Sequence, residues 1–83
     1  MAFTLRVDPR ARANIDKLAD QYKQRVLQVL DAIEANPFLG KKLHGEREGQ
    51  YSMRVWPYRI IYKIYKHELL IIVIEFGHRQ GVY

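Results

Sequence analysis

Tyr51-Ser52-Met53-Arg54-Val55-Trp56-Pro57-Tyr58-Arg59-Ile60-Ile61-Tyr62-Lys63-Ile64-Tyr65 decides the fold of this 83-residue chain. Tyr51, Met53 and Val55 alternate with Ser52, Arg54 and Trp56. Tyr58, Ile60, Tyr62 and Ile64 alternate with Arg59, Ile61, Lys63 and Tyr65. Successive side chains on a strand point to opposite faces, so a period of two marks two strands, each with a buried and an outward face. Trp56-Pro57 interrupts the pattern and makes the segment a hairpin. Pairing symmetric about that turn puts Arg54 opposite Arg59. Cβ atoms of directly opposed residues lie about 4.5–5.5 Å apart, and like charges there are destabilising. The two side chains therefore splay into water or hold an anion between them. Guanidinium forks match phosphate oxygens two at a time, which makes an oligoanion the natural guest.

Beyond Lys66-His67-Glu68, the run Leu69 to Phe76 is apolar at every position but Glu75. Such a run reads as a central strand covered on both faces. The three strands form an antiparallel meander. Gly77-His78-Arg79-Gln80-Gly81-Val82-Tyr83 then closes the chain as a polar tail. An imidazole that carries protons near neutral pH, a permanent cation and a phenol would together serve phosphodiester chemistry.

Upstream, Gly40 to Gly49 is polar and glycine-punctuated and reads as a loop. Its glycines faintly resemble a phosphate-binding loop, but Glu46 stands where that motif needs lysine. Before it, Ala11, Ile15, Leu18, Tyr22, Val26, Val29 and Ile33 follow at helical spacing as one apolar stripe. Asp8 and Pro9 supply a cap and a first-turn proline, and Asn36-Pro37 ends the stripe. One helix over 9–36 would be about 42 Å long. That is too long for so small a domain, so a break near Asp20-Gln21 is expected. Phe3, Leu5 and Val7 alternate as a short first strand. The expected fold is α+β: a short N-terminal strand, a two-helix hairpin, then the three-stranded meander. All strands form one sheet with the helices packed on one face, in a single domain over 1–83.

Composition narrows the function. The chain has no cysteine, which excludes a disulfide scaffold, a thiol nucleophile and a cysteine zinc site. His44, His67 and His78 are scattered, so neither metal nor cofactor is expected. No apolar stretch reaches the roughly 20 residues that span a bilayer, and the first residues lack a signal-peptide pattern; a cytoplasmic protein that makes no membrane contact is expected. Fourteen Lys and Arg against nine Asp and Glu give +5. Residues 41–83 carry most of that excess and five of the six tyrosines. Cations meeting phosphates beside rings that stack on bases would suit nucleic acid. The plainer alternative is a basic surface whose rings are strand core.

Leu43-His44-Gly45, Tyr51 to Arg54, Tyr58-Arg59-Ile60-Ile61-Tyr62, Gly77-His78-Arg79 and Val82-Tyr83, in that order, resemble the RelE/ParE superfamily of bacterial and archaeal toxins. The likeness spans essentially the whole chain and is closer to the RelE branch. It implies the toxin of a toxin–antitoxin system: a ribosome-dependent, metal-independent endoribonuclease. Such an enzyme cleaves mRNA by attack of a ribose 2′-hydroxyl on the adjacent phosphate. The family's catalytic positions fall on Arg54, Arg59, Arg79 and Tyr83, with His78 where histidine or lysine is common. Ser52 departs from a lysine credited with proton transfer in other members. Lys41, Lys42 and Arg54 are the candidate RNA- and ribosome-binding residues, and Arg59 and Arg79 are expected to face solvent. The implied partners are a cognate antitoxin, the ribosome with its mRNA, and operator DNA only through the antitoxin complex. A ParE-like inhibitor of DNA gyrase and a non-catalytic operator-binding module share the fold and stand as alternatives.

Overall fold

A computed structural model describes residues 2–78 and 80. The elements run β1 (Thr4–Val7), α1 (Pro9–Asp16), α2 (Asp20–Ala35), β2 (Lys41–Lys42), β3 (Gln50–Val55), β4 (Tyr58–Tyr65) and β5 (Leu70–His78). Short 3-10 turns cover Pro37–Leu39 and Gly45–Arg47. The five strands make one sheet in the order β1-β5-β4-β3-β2. β1 lies parallel to β5 and every other neighbouring pair is antiparallel.

The caps act as their residue types dictate. The Asp8 carboxylate accepts from the Arg10 amide at 3.1 Å, and Pro9 opens α1. The helical stripe breaks at 17–19, a few residues before the expected point. Pro37 sits in a 3-10 turn whose amide at Phe38 is capped by the Asn36 side chain.

One face of the sheet carries the core. Ile60 and Tyr62 of β4, Ile71, Val73 and Phe76 of β5, and Val55 of β3 pack against Ala11, Ile15, Val26, Leu30 and Ile33 of the helices. Ile71 and Val73 fit a period of two, whereas Phe76 is three residues beyond Val73. A bulge resolves this: Ile61 pairs with Glu75 but Tyr62 with Val73, so Ile74 is an extra residue in β5. The bulge returns Phe76 to the core while Ile74 packs with Leu43 and Ile61 on the other face.

Three expectations are corrected. The 40–49 segment is not simply a loop, because Lys41 and Lys42 pair with Ser52 and Tyr51 as a fifth strand. The last strand begins at Leu70 and runs through His78, so Gly77 and His78 belong to the sheet rather than the tail. Leu69 instead occupies the preceding turn, with a positive φ of 51°. β5 is interior but is covered by helices on one face only. Leu70, Ile72 and Ile74 on the other face are half-buried.

The edge at β1 is finished by a side chain. The Leu5 amide, which has no strand beyond it, donates to the Glu34 carboxylate of α2 at 2.9 Å.

Candidate nucleic-acid interface

The face away from the helices is organised in rows across the strands. The β3–β4 register puts Arg54 opposite Arg59, as the sequence symmetry requires, and Gly77 lies across from Arg59 on β5. The next row holds Lys41, Ser52, Ile61 and Glu75. The row beyond it holds Gln50, Lys63, Ile72 and Arg6.

Lys41, Ser52, Met53, Arg54 and Arg59 line a cavity of about 250 Å³. Two unit charges about 5 Å apart repel by about 1 kcal/mol even in water, and more where water is displaced. An anion seated between them reverses that sign. The carboxylate of Glu75 in the next row is already engaged. Glu75 accepts from Arg47 at 2.7 Å, and the same guanidinium donates to Gln50 at 2.9 Å. With Leu43 on Ile61 and Ile74, this ion pair holds the 43–49 segment across the middle of the face. The hairpin tip is held from behind, where Arg25 of α2 donates to the Trp56 carbonyl.

The sequence candidates divide. Arg54 is exposed and Arg59 is half-buried rather than fully solvent-facing. These two share one face with Lys41. Lys42, next in the chain, turns to the opposite side of its strand, lining a groove with Tyr51 and Ile64. His78 at the end of β5 sets its ring edge-on to Tyr58, 6.1 Å between centroids. Tyr58 stacks on the core residue Phe76, so the imidazole stands on the helix side, away from the arginine row. Arg79 and Tyr83 lie outside the described residues. The tyrosines resolve mostly as core, since Tyr51, Tyr58 and Tyr62 all face the helices. Tyr65 shares the face away from the helices, with the Lys63 ammonium 5.5 Å from its ring centre.

Two further residues belong to this face. Lys63 follows Arg59 at a spacing of four, so the period of two places it there. The sequence pattern does not announce Arg47, since its partner Glu75 is 28 residues away. Among the described residues no group of three or more acids and histidines could hold a metal ion, and no helix is long and apolar enough to cross a membrane.

The model of the ParE toxin of type II toxin–antitoxin systems matches residues 5–83. The chain belongs to this toxin family. Toxin RelG of Mycobacterium tuberculosis is 27% identical over 85 residues, covering 100% of this chain and 98% of the relative. Solved structures agree. The toxin of the RelBE2 toxin–antitoxin complex from M. tuberculosis superposes with a TM-score of 0.85 at 26% identity, over 95% of this chain and 100% of its own. The RelE–RelB complex of Pyrococcus horikoshii contains a chain with a TM-score of 0.84 at 21% identity, over 99% and 100% respectively. This toxin thus has the fold of the RelE/ParE superfamily, and its helix layer and sheet are those of its relatives.

Proposed function

We propose that this toxin is a ribosome-dependent endoribonuclease that cuts mRNA without metal, and that a cognate antitoxin restrains it. The observation that carries the reading is the arginine row. Arg54 and Arg59 are held opposite one another on the sheet face away from the helices, with Lys41 in the next row and Gly77 across from Arg59. Such an array of cations suits a phosphodiester, whose oxygens guanidinium forks match two at a time. The RelE–RelB pairing of similar toxins supports the antitoxin.

The chemistry follows from what cleavage needs. The ribose 2′-oxygen loses its proton and attacks the neighbouring phosphorus in line. The bond to the 5′-oxygen breaks and that oxygen takes a proton, leaving a 2′,3′-cyclic phosphate and a 5′-hydroxyl. Charge builds on the equatorial oxygens of the phosphorane, where fixed cations act most strongly. In this reading Arg59, half-buried and therefore firmly placed, meets that charge together with Arg79. Arg54 and Lys41 hold the flanking phosphates. Tyr83 orients or stacks on a base. His78 is the side chain best suited by its chemistry to move a proton, yet its ring rests against Tyr58, so the reading depends on the arginines first.

A second reading is favoured by one observation, the family model itself, which describes ParE. A ParE-like toxin would inhibit DNA gyrase and cut nothing. One experiment separates the two: the purified chain is added to a translating extract and message ends are mapped, with DNA supercoiling assayed alongside. Cuts at the codon in the ribosomal A site, ending in cyclic phosphate, support the endoribonuclease. Intact message with blocked supercoiling supports the inhibitor. Products bearing a 3′-hydroxyl and a 5′-phosphate would contradict the 2′-hydroxyl route and indicate an activated water instead.

A further inference from the structure

Phe38 and Leu39 are large apolar side chains left 50% and 51% exposed on the turn after α2. Single exposed apolar residues are ordinary, but these two stand on a rigid base. The Phe38 ring meets Tyr51 edge-on at 6.2 Å, and Tyr51 stacks on buried Tyr62 at 5.6 Å. The Tyr62 hydroxyl donates to the Pro37 carbonyl at 2.7 Å and accepts from the Gly40 amide at 2.9 Å. The innermost ring thus ties down both ends of the turn that carries the outermost. Beside these rings runs a groove of about 240 Å³, walled by Lys42, Glu48, Tyr51, Ile64 and Lys66. The Lys66 ammonium lies 5.6 Å from the centre of the Phe38 ring.

We propose that this surface docks an acidic, amphipathic protein segment. An apolar side chain of the segment seats against Phe38 and Tyr51, and its carboxylates meet Lys42 and Lys66. The proposal rests on the antitoxin reading above and assigns the segment to the antitoxin. Two features favour a protein over RNA. The cations here are lysines, point charges without the arginine fork that matches phosphate. The exposed aliphatic Leu39 and the Ile64 wall offer apolar contact that a phosphate cannot use. Because the turn is already fixed, binding loses little conformational freedom on this side. The surface lies on the helix side of the sheet, opposite the arginine row, so antitoxin grip and RNA contact are separable by mutation.

The test measures antitoxin affinity by calorimetry, using the full chain and the antitoxin encoded beside it. Binding of a fluorescent uridine decamer is measured on the same preparations, and melting curves verify folding. Phe38→Ala is expected to weaken antitoxin binding about 30-fold, as loss of a central aromatic anchor does. Lys66→Glu, at an exposed position, should weaken it about tenfold and flatten its salt dependence. Both variants should bind the decamer within about twofold of the parent, whereas Arg54→Ala should weaken the decamer and spare the antitoxin. Antitoxin affinity unchanged in both Phe38→Ala and Lys66→Glu would overturn the docking site while leaving the antitoxin reading intact. Loss of the decamer in Phe38→Ala would overturn it by making the surface an RNA contact. An antitoxin that fails to bind the parent chain would remove the antitoxin reading, and this site with it.

Discussion

The two faces of one sheet use the same strands in opposite ways. On the helix side, Tyr51, Tyr58, Tyr62 and Phe76 are locked ring against ring, and even the turn at Pro37–Leu39 is tied to a buried hydroxyl. On the other side, the outward residues of the same strands include Arg54 opposite Arg59, with Lys41 and Lys63 in the neighbouring rows. The contrast shows how a chain of this size can hold a cationic surface. Apolar burial on one face contributes most of the stability. The other face is free to carry residues that serve an anion rather than the core.

The largest effect expected from breaking this division is catalytic. Arg59→Ala should lower message cleavage about 10²–10³-fold, the usual loss when a donor to transition-state charge is removed. Mapped message ends in a translating extract measure it. Because Arg59 is half-buried, a fall in melting temperature is expected as well, which Arg54→Ala should not share. Full cleavage by Arg59→Ala would detach the arginine row from catalysis.

Next come changes to the locked face. Tyr62→Phe strands the Pro37 carbonyl and the Gly40 amide and should cost about 1–3 kcal/mol in urea unfolding. Gly40→Ala should cost a similar amount, since a Cβ there would lie 2.4 Å from the Tyr62 hydroxyl. The double variant should cost less than the sum of the two, because they share one contact.

The same hydroxyl gives the protein an alkaline limit. Burial raises the Tyr62 pKa above 10.0, and the charge of Tyr51 adds to the rise against the opposing Gly40 hydrogen bond. The unfolded chain therefore releases this proton first. Its contribution is fully present below about pH 10 and is lost as pH rises through the higher folded value. Unfolding followed from pH 8 to 11 should show the decline, and Tyr62→Phe should lack this part of it.

Smaller effects sharpen the boundary between the faces. Lys41→Ala should reduce the log–log salt slope of single-strand RNA binding by about 0.7, one phosphate contact. Lys42→Ala, on the other side of the strand, should leave the slope unchanged, and equal slopes for the two variants would mean that the faces are not electrically distinct. The smallest effect belongs to Glu75→Gln. Its ion pair with Arg47 is partly solvent-exposed, so about 1 kcal/mol or less is expected in the same unfolding assay.

How far the sequence could be read follows from where its pattern carries contrast. The β3–β4 hairpin alternates apolar with polar about a two-residue turn, so its symmetry alone dictates the opposition of Arg54 and Arg59. β5 has no such contrast: Leu70 to Ile74 is apolar on both faces, and a period of two cannot reveal the bulge at Ile74. β2 is only two lysines long and carries no apolar signal at all. The partition of Lys41 from Lys42, and of His78 from the arginine row, depends on strands that the residues do not announce. Tyr62 was readable as a core residue, but the link from its hydroxyl to a turn 22 residues away was not.

The Glu34 carboxylate on the Leu5 amide bears on how this protein behaves in company. An outermost strand offers a row of free donors and acceptors, which is where sheets of separate molecules join. Here the donor at Leu5 is already answered from α2, and the opposite margin is a strand of two lysines. A neighbouring copy thus finds one margin with an occupied donor and the other short and positively charged. Glu34, a helix residue, thereby helps to close a sheet margin against the edge-to-edge pairing that bare strands invite.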